Sequence, residues 1–300
     1  MIPLEYVLTI LCIFSLYAIF AMGLNIMTGY AGLPHLGYMG LVAIGSYVTA
    51  ILATSYNAPF VLTISLSALL TFLMGLLFGL AHVKRGVEKD YFIVSTIAFN
   101  YIVVSILLFA PYFGRMFGII GIPRPEILGY TFSSTADILT LLLAFTALLA
   151  FVHWKLPKTR FGIRLRAAAN DPILAEYSGI AVTYHRALGV ALSSLYAGIG
   201  GSLHAYFLGV AYPYFFEFEH SVLVFAILLL GGRGTFAGPL IGALVMAVLP
   251  EIFRGWVPLE MRTLVIYIIL AIIVLTLPSG IVGSGSPLQK LFPQRIASKR

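Results

Sequence analysis

The sequence predicts an all-α protein that crosses a membrane several times. Of its 300 residues, 60% are hydrophobic and only 10% are charged, and the mean hydropathy is +1.01. Soluble domains carry about 25% charged residues, and a run of about 20 apolar residues matches the hydrocarbon core of a bilayer. Such runs follow one another along this chain. We therefore expect a single domain over residues 1–300 with about eight full transmembrane helices plus a Gly-rich broken helix hairpin.

Composition excludes several other classes of protein. The net charge of +7 comes from Lys and Arg in short loops between apolar runs, which fits membrane topology and membrane lipid better than nucleic acid. Cys12 is the only cysteine, so no internal disulfide or cysteine-based metal site can form. The chain has no GxxxxGK[ST] phosphate loop and no HExxH motif, so we expect no nucleotide hydrolysis, no cofactor and no metal in this chain.

The apolar runs place the spans in order. They are expected at residues 4–27, 36–53, 59–81, 91–110, 137–154, 186–208 and 263–277. A break at residues 29–35 separates the first two, because glycine and proline interrupt a helix there. The fourth span carries Thr96 and Asn100 deep in its length. Polar groups at that depth either bond to a neighbouring helix or line a solute path, and both readings stay open.

Residues 221–250 are too long for one ordinary crossing. A glycine cluster, a proline and an arginine interrupt them, so we predict two short helices that meet at a turn. The residues expected to shape this hairpin are Gly231, Gly232, Arg233, Gly234, Gly238, Pro239 and Gly242. The last three glycines fall four residues apart, at 234, 238 and 242, and are expected on one face of the second helix.

The loop at residues 155–185 contains a short predicted helix. Asp171 suits the helix N-cap, Pro172 the first helical position and Gly179 the left-handed stop. A helix of about two turns is marginal in water unless it is docked. It is therefore either an interfacial connector or a knob that fits a socket on a cytoplasmic partner.

Charge distribution sets the expected orientation. Basic residues concentrate in and beside this loop, at Lys155, Lys158, Arg160, Arg164, Arg166 and Arg186. They recur at residues 82–90 and in the tail beyond residue 278. Since basic loops stay on the cytoplasmic side, we expect the N-terminus outside and the C-terminus in the cytoplasm.

Four passages resemble the permease family of branched-chain amino acid ABC importers. They are GLNIMTGYAGLPHLGYMGLVAIGSYVTA (23–50), DYFIVSTIAF (90–99), TRFGIRLRAAANDPILAEYSGI (159–180) and LLLGGRGTFAGPLIGALVMAVLPE (228–251). Arg233 in the GGRG turn and the DYF segment are more similar to the LivM type than to the LivH type. The chain departs from the family pattern at residues 175–179 and at His35, which leaves the solute open, since relatives also move urea, short amides and sugars.

The resemblance implies a pore-forming subunit in a bacterial or archaeal cytoplasmic (inner) membrane. Its implied partners are a second homologous permease subunit, two cytoplasmic ATPase subunits that bind ATP and Mg, and an extracytoplasmic solute-binding protein. The implied coupling residues are Arg164, Arg166, Asp171, Pro172, Glu176 and Gly179. A self-contained secondary carrier or channel is the alternative, because nothing in this chain supplies ATP hydrolysis.

Overall fold

The structure, a computed structural model, describes residues 4–83, 89–127 and 129–252, together with Met261, Tyr267, Ile268, Ile272, Thr276 and residues 279–283. These residues are mostly helical, which confirms the all-α class. The helices are α1 (Leu4–Asn25), α2 (Tyr38–Ser55), α3 (Phe60–Val83), α4 (Lys89–Phe109), α5 (Thr135–Lys155), α6 (Arg160–Asn170), α7 (Pro172–Tyr177), α8 (Val182–Leu208), α9 (Phe218–Gly231) and α10 (Ala237–Ile252).

Among the described residues, five helical segments are long and apolar enough to cross a membrane: Leu4–Tyr30, Tyr38–Ser55, Phe60–His82, Asp90–Phe109 and Thr135–Lys158. They match the first five predicted spans, and α9 and α10 are shorter apolar helices. The predicted span at 263–277, most of the basic loop at 82–90 and the basic tail fall largely outside the described residues. The expected total of about eight spans therefore stays a prediction.

α8 is the central helix of the bundle, where it packs on α1, α2 and α3. Its 27 residues are long enough to cross a bilayer, but it is absent from the five apolar spans because it is rich in glycine, serine and alanine. These small residues allow close approach: a Cβ on Gly45 of α2 would lie 2.6 Å from the Cα of Gly198. A helix that is covered by protein on most sides packs through small residues and does not need an apolar, lipid-facing surface.

Two helices begin inside the bundle. α2 starts after the irregular residues 31–37, and α9 starts after a short turn, Pro213–Phe216. Both starts lie beside Asn100, near the middle of α4: its Nδ2 donates to the Phe216 carbonyl (2.9 Å), and a Cβ on Gly40 would lie 3.1 Å from its Cα. Phe216 is fully buried. The segment at 209–220 therefore reaches into the bundle, where protein covers its irregular backbone.

The C-terminal end of α8 is tied to the segment that follows α4. Strand β1 (Ile119–Ile120) pairs antiparallel with β4 (Val210–Ala211), and β2 (Glu126–Ile127) pairs with β3 (Tyr130–Thr131). α5 then begins with a capping box, in which Ser134 Oγ accepts from the Asp137 amide and the Asp137 carboxylate accepts from the Ser134 amide. These contacts give defined structure to the described residues between α4 and α5.

Candidate functional site

The candidate site is the end of the bundle that carries α6 and α7, here called the coupling segment (Arg160–Tyr177). α6 follows a Thr159 N-cap, whose hydroxyl accepts from the Gly162 amide at 3.1 Å. It buries Gly162, Leu165 and Ala168 and turns its basic residues outward. α6 is not among the helices predicted from the sequence. The three-residue spacing of its buried residues and the threonine cap are the signals that would have found it.

α7 has the boundaries that its sequence predicts. Asp171 Oδ1 accepts from the Leu174 amide at 2.9 Å, and Pro172 occupies the first helical position. Gly179 follows the helix with φ +77°, and the Ile180 amide donates to the Ala175 carbonyl at 3.0 Å. This last bond closes the C-terminal end of the helix in the manner of a glycine cap.

α7 packs against the rest of the protein through a single buried side chain, that of Ala175. Ala175 is buried against Ala168 and Val182. The large apolar side chains on the same helix face outward: Ile173, Leu174 and Tyr177 are 67%, 63% and 88% exposed. An exposed apolar cluster of this kind is typical of a contact surface.

A groove of about 510 Å³ runs beside α7. It is lined by Leu80 of α3, by Glu176 and Gly179, and by residues 180–184. Arg186 fixes the neighbouring end of α6, because its guanidinium donates to the Ala168 carbonyl at 2.7 Å. Both predicted coupling arginines, Arg164 and Arg166, are exposed, and the Arg166 guanidinium lies 6.0 Å from the centre of the Tyr30 ring.

α9 and α10 pack against each other on either side of residues 232–236, here called the glycine turn. A Cβ on Gly238 would overlap the Gly232 carbonyl, and one on Gly242 would overlap the Ile227 carbonyl. The two helices are therefore antiparallel and in backbone contact, with Gly231 facing both Gly238 and Gly242. Pro239 lies in the first turn of α10, where its missing N–H costs no helical bond.

The predicted three-glycine face is wrong at one position. Gly234 precedes α10 and has φ +74°, so only Gly238 and Gly242 belong to the helix face. Arg233 is exposed at the tip of the glycine turn. Residues 279–283 cover the turn from one side, since the amides of Ile281 and Val282 donate to the carbonyls of Leu230 and Gly231 at 2.8 and 3.0 Å.

Thr96 and Asn100 are both buried in contacts between helices. Thr96 Oγ1 accepts from the Leu36 amide at 3.2 Å and donates to the Ile93 carbonyl at 2.7 Å. Asn100 Nδ2 bonds to Phe216, while its Oδ1 has no partner among the described residues. These contacts hold the two helix starts in place, and the proposed pathway role of both residues stays a prediction.

Together, the apolar spans, the buried irregular segments and the exposed apolar helix at one end define a multi-pass membrane protein with a surface suited to contact another protein. The chain belongs to the family of branched-chain amino acid transport system permease components, whose family model matches residues 6–274. The predicted resemblance is thereby confirmed.

Individual relatives agree with the family match. LivM of Escherichia coli, a high-affinity branched-chain amino acid transport permease, is 28% identical over 92% of this chain and 70% of its own length. LivH of Salmonella typhimurium is 26% identical over 90% of this chain and 92% of its own. The guanosine ABC transporter permease NupQ of Bacillus subtilis is 27% identical over 64% of this chain and 63% of its own. No solved structure is a significant match to this chain.

Proposed function

We propose that this chain is the permease subunit of an ATP-driven importer for branched-chain amino acids. It forms half of the translocation pathway with a second, homologous permease subunit. Two cytoplasmic ATPase subunits bind ATP and Mg, and a solute-binding protein delivers the solute from outside. The observation that carries this proposal is the family match over most of the chain, with relatives of both the LivM and LivH types.

The coupling segment is the proposed ATPase contact. In support, α7 is capped at both ends, is held to the bundle by Ala175 and exposes three large apolar side chains. A short helix with these features loses little conformational entropy on binding, because its shape is already fixed. Glu176 and the groove beside it extend the contact surface.

We further propose that this end of the bundle faces the cytoplasm. The basic residues of the coupling segment, the glycine turn with Arg233 and residues 279–283 all lie at this end. Concentrated basic charge favours the cytoplasmic side. In this orientation the α9–α10 pair is a broken helix hairpin that enters and leaves the membrane around a cytoplasmic turn, within a cytoplasmic (inner) membrane.

The solute is the least constrained part of the proposal. One relative is a guanosine permease, so a nucleoside is the second candidate. Urea and short amides are further candidates. Thr96 and Asn100 are proposed for the pathway because both lie deep within α4, and the Asn100 side-chain carbonyl, where two helix starts meet, has no partner in the described part of the chain.

Purification and uptake test these proposals together. The tagged chain is extracted from its native membrane in mild detergent, and the copurified proteins are identified. The complex is then reconstituted for ATP-dependent uptake of labelled leucine, isoleucine and valine, with guanosine as the comparison. Copurified ATPase subunits and uptake of the amino acids support the proposal. Uptake by the chain without ATPase subunits would indicate a secondary carrier or channel, and uptake of guanosine alone would indicate a nucleoside permease.

A further inference from the structure

We infer that the end of α1 transmits movement of the coupling segment to the glycine turn, with Asn25 as the positioning residue of this contact. The inference rests on the proposed function, because it needs the coupling segment to respond to an ATPase. It is carried by the α1 junction, a set of residues from three distant parts of the chain: Asn25, Gly29, Tyr30, His153, Gly234 and Thr235.

Asn25 binds the glycine turn through both ends of its amide. Its Oδ1 accepts from the Gly234 amide at 2.7 Å, and its Nδ2 donates to the Thr235 carbonyl at 2.8 Å. The side chain is fully buried. If the turn moved away from α1, both hydrogen bonds would break in a place where water does not replace them, so the two elements move together.

His153, near the end of α5, completes the polar contact. Asn25 Nδ2 lies 3.0 Å and the Tyr30 hydroxyl 3.2 Å from His153 Nε2. The Gly234 amide can only donate, so the atom it meets on Asn25 is the oxygen and the atom near His153 is the nitrogen. His153 Nε2 is therefore the acceptor, and the neutral imidazole carries its proton on Nδ1. The Tyr30 ring stacks on His153 with centroids 5.2 Å apart.

The backbone of α1 is adapted to this contact. α1 is followed directly by a π-helical turn, Ile26–Tyr30, and such turns are rare and are frequently found at functional sites. A Cβ on Gly29 would lie 2.6 Å from the Gly234 nitrogen. Only glycine at position 29 lets the glycine turn approach α1 closely enough for Asn25 to reach it.

The chain just after this π-helical turn contacts the coupling segment. Gly32, at φ +69°, lies so close to α6 that its Cβ would be 3.1 Å from the Cβ of Ala169. Arg166 approaches the Tyr30 ring from α6. The end of α1 is thus packed between α6 and the glycine turn, and a displacement of α6 is passed on through packed groups.

The test places one label on each side of the junction, in the complex reconstituted with its copurified ATPase. In a Cys12→Ala background, spin labels are attached at Arg164→Cys on α6 or at Arg233→Cys on the glycine turn, both exposed positions. Label mobility is recorded with and without ATP. Uptake of labelled leucine per ATP hydrolysed is measured in unlabelled protein of each variant.

Asn25→Leu removes both hydrogen bonds at similar volume, and Asn25→Asp keeps the acceptor but removes the donor. In both variants we expect the label at position 164 to keep its change in mobility on addition of ATP and the label at position 233 to lose it. We also expect about tenfold less leucine to be transported per ATP hydrolysed, which is the size of change expected when buried hydrogen bonds are lost. Thr146→Val is the matched control, because it removes a buried bond between α5 and α1, Thr146 to the Ser15 carbonyl at 3.4 Å, away from the junction.

The outcomes separate the two proposals. If position 233 still responds to ATP in both Asn25 variants, the inference is wrong and the proposed function stands. If the label at position 164 shows no change in mobility with ATP in protein that keeps Asn25, the coupling role fails and the inference fails with it. If Thr146→Val has the same effect as the Asn25 variants, the loss reflects general weakening of the α1–α5 contact, which also overturns the inference. Should Asn25→Leu not assemble, Asn25→Asp decides alone.

Discussion

At the scale of single residues, Gly179 is a position where a substitution tests the cost of a left-handed backbone conformation alone. It has φ +77°, and a Cβ built there would meet no atom within 4 Å. Any cost of a larger side chain at this position therefore comes from the left-handed backbone and not from a clash, and a β-branched residue resists that conformation most.

We expect Gly179→Val to cost about 1–3 kcal/mol in the local structure and to misdirect the chain between α7 and α8. The measurement is the amount of ATPase that copurifies, beside solute-stimulated ATP hydrolysis. Ala136→Val, at an exposed position in the first turn of α5 and outside the groove, supplies the same side chain without the positive φ. Equal behaviour of the two variants would contradict the prediction.

Gly238, unlike Gly179, must be glycine because of close contact with a neighbouring backbone and not because of its φ angle. A side chain there overlaps the Gly232 carbonyl, so Gly238→Leu forces α9 and α10 apart and is expected to destabilise the protein by about 1–3 kcal/mol. Thermal unfolding of the purified chain, followed by size-exclusion chromatography, measures this loss. Val248→Leu, at an exposed position of the same helix, is expected to melt with the wild type. A Gly238→Leu protein of unchanged stability would show that the hairpin is not closely packed.

At the scale of elements, α7 is expected to bind through its apolar side chains. Tyr177 is 88% exposed, and tyrosine is enriched among the few interface residues whose truncation to alanine costs about 2 kcal/mol or more in binding. We expect Tyr177→Ala to reduce copurified ATPase strongly, with little change in the thermal stability of the isolated chain. Tyr56→Ala removes a comparably exposed tyrosine from the end of α2 and should leave copurification unchanged. Equal copurification of both variants would mean that α7 is a connector only.

The short helix was predictable because its signals are local. Asp171, Pro172 and Gly179 act on backbone groups within a few residues, so sequence alone places both ends of α7. The α1 junction was not predictable, because Asn25 and Thr235 are 210 positions apart and no periodicity connects them. The same limit explains Thr96 and Asn100: hydropathy places them within a span, whereas the neighbours they bond to depend on how the helices pack.

At the scale of the whole molecule, the membrane orientation can be checked with single cysteines in the Cys12→Ala background. Ser133→Cys lies in the segment before α5 and Lys158→Cys lies after α5, both exposed. Because basic loops remain in the cytoplasm, a membrane-impermeant maleimide should modify position 133 in intact cells and position 158 only after lysis. The reverse pattern would invert the proposed topology and place the coupling segment outside.

The low hydropathy of α8 also bears on how the chain enters the membrane. Insertion machinery selects helices by their partitioning into lipid, and glycine, serine and histidine partition poorly. α8 is the longest helix of the bundle, with two histidines and many small residues, yet its stabilising contacts come from α1, α2 and α3, which precede it in the chain. The integration of α8 is therefore expected to depend on those earlier helices, which must stay beside the translocon until α8 emerges. The helices of this protein would then enter the membrane by packing on one another and not by independent insertion.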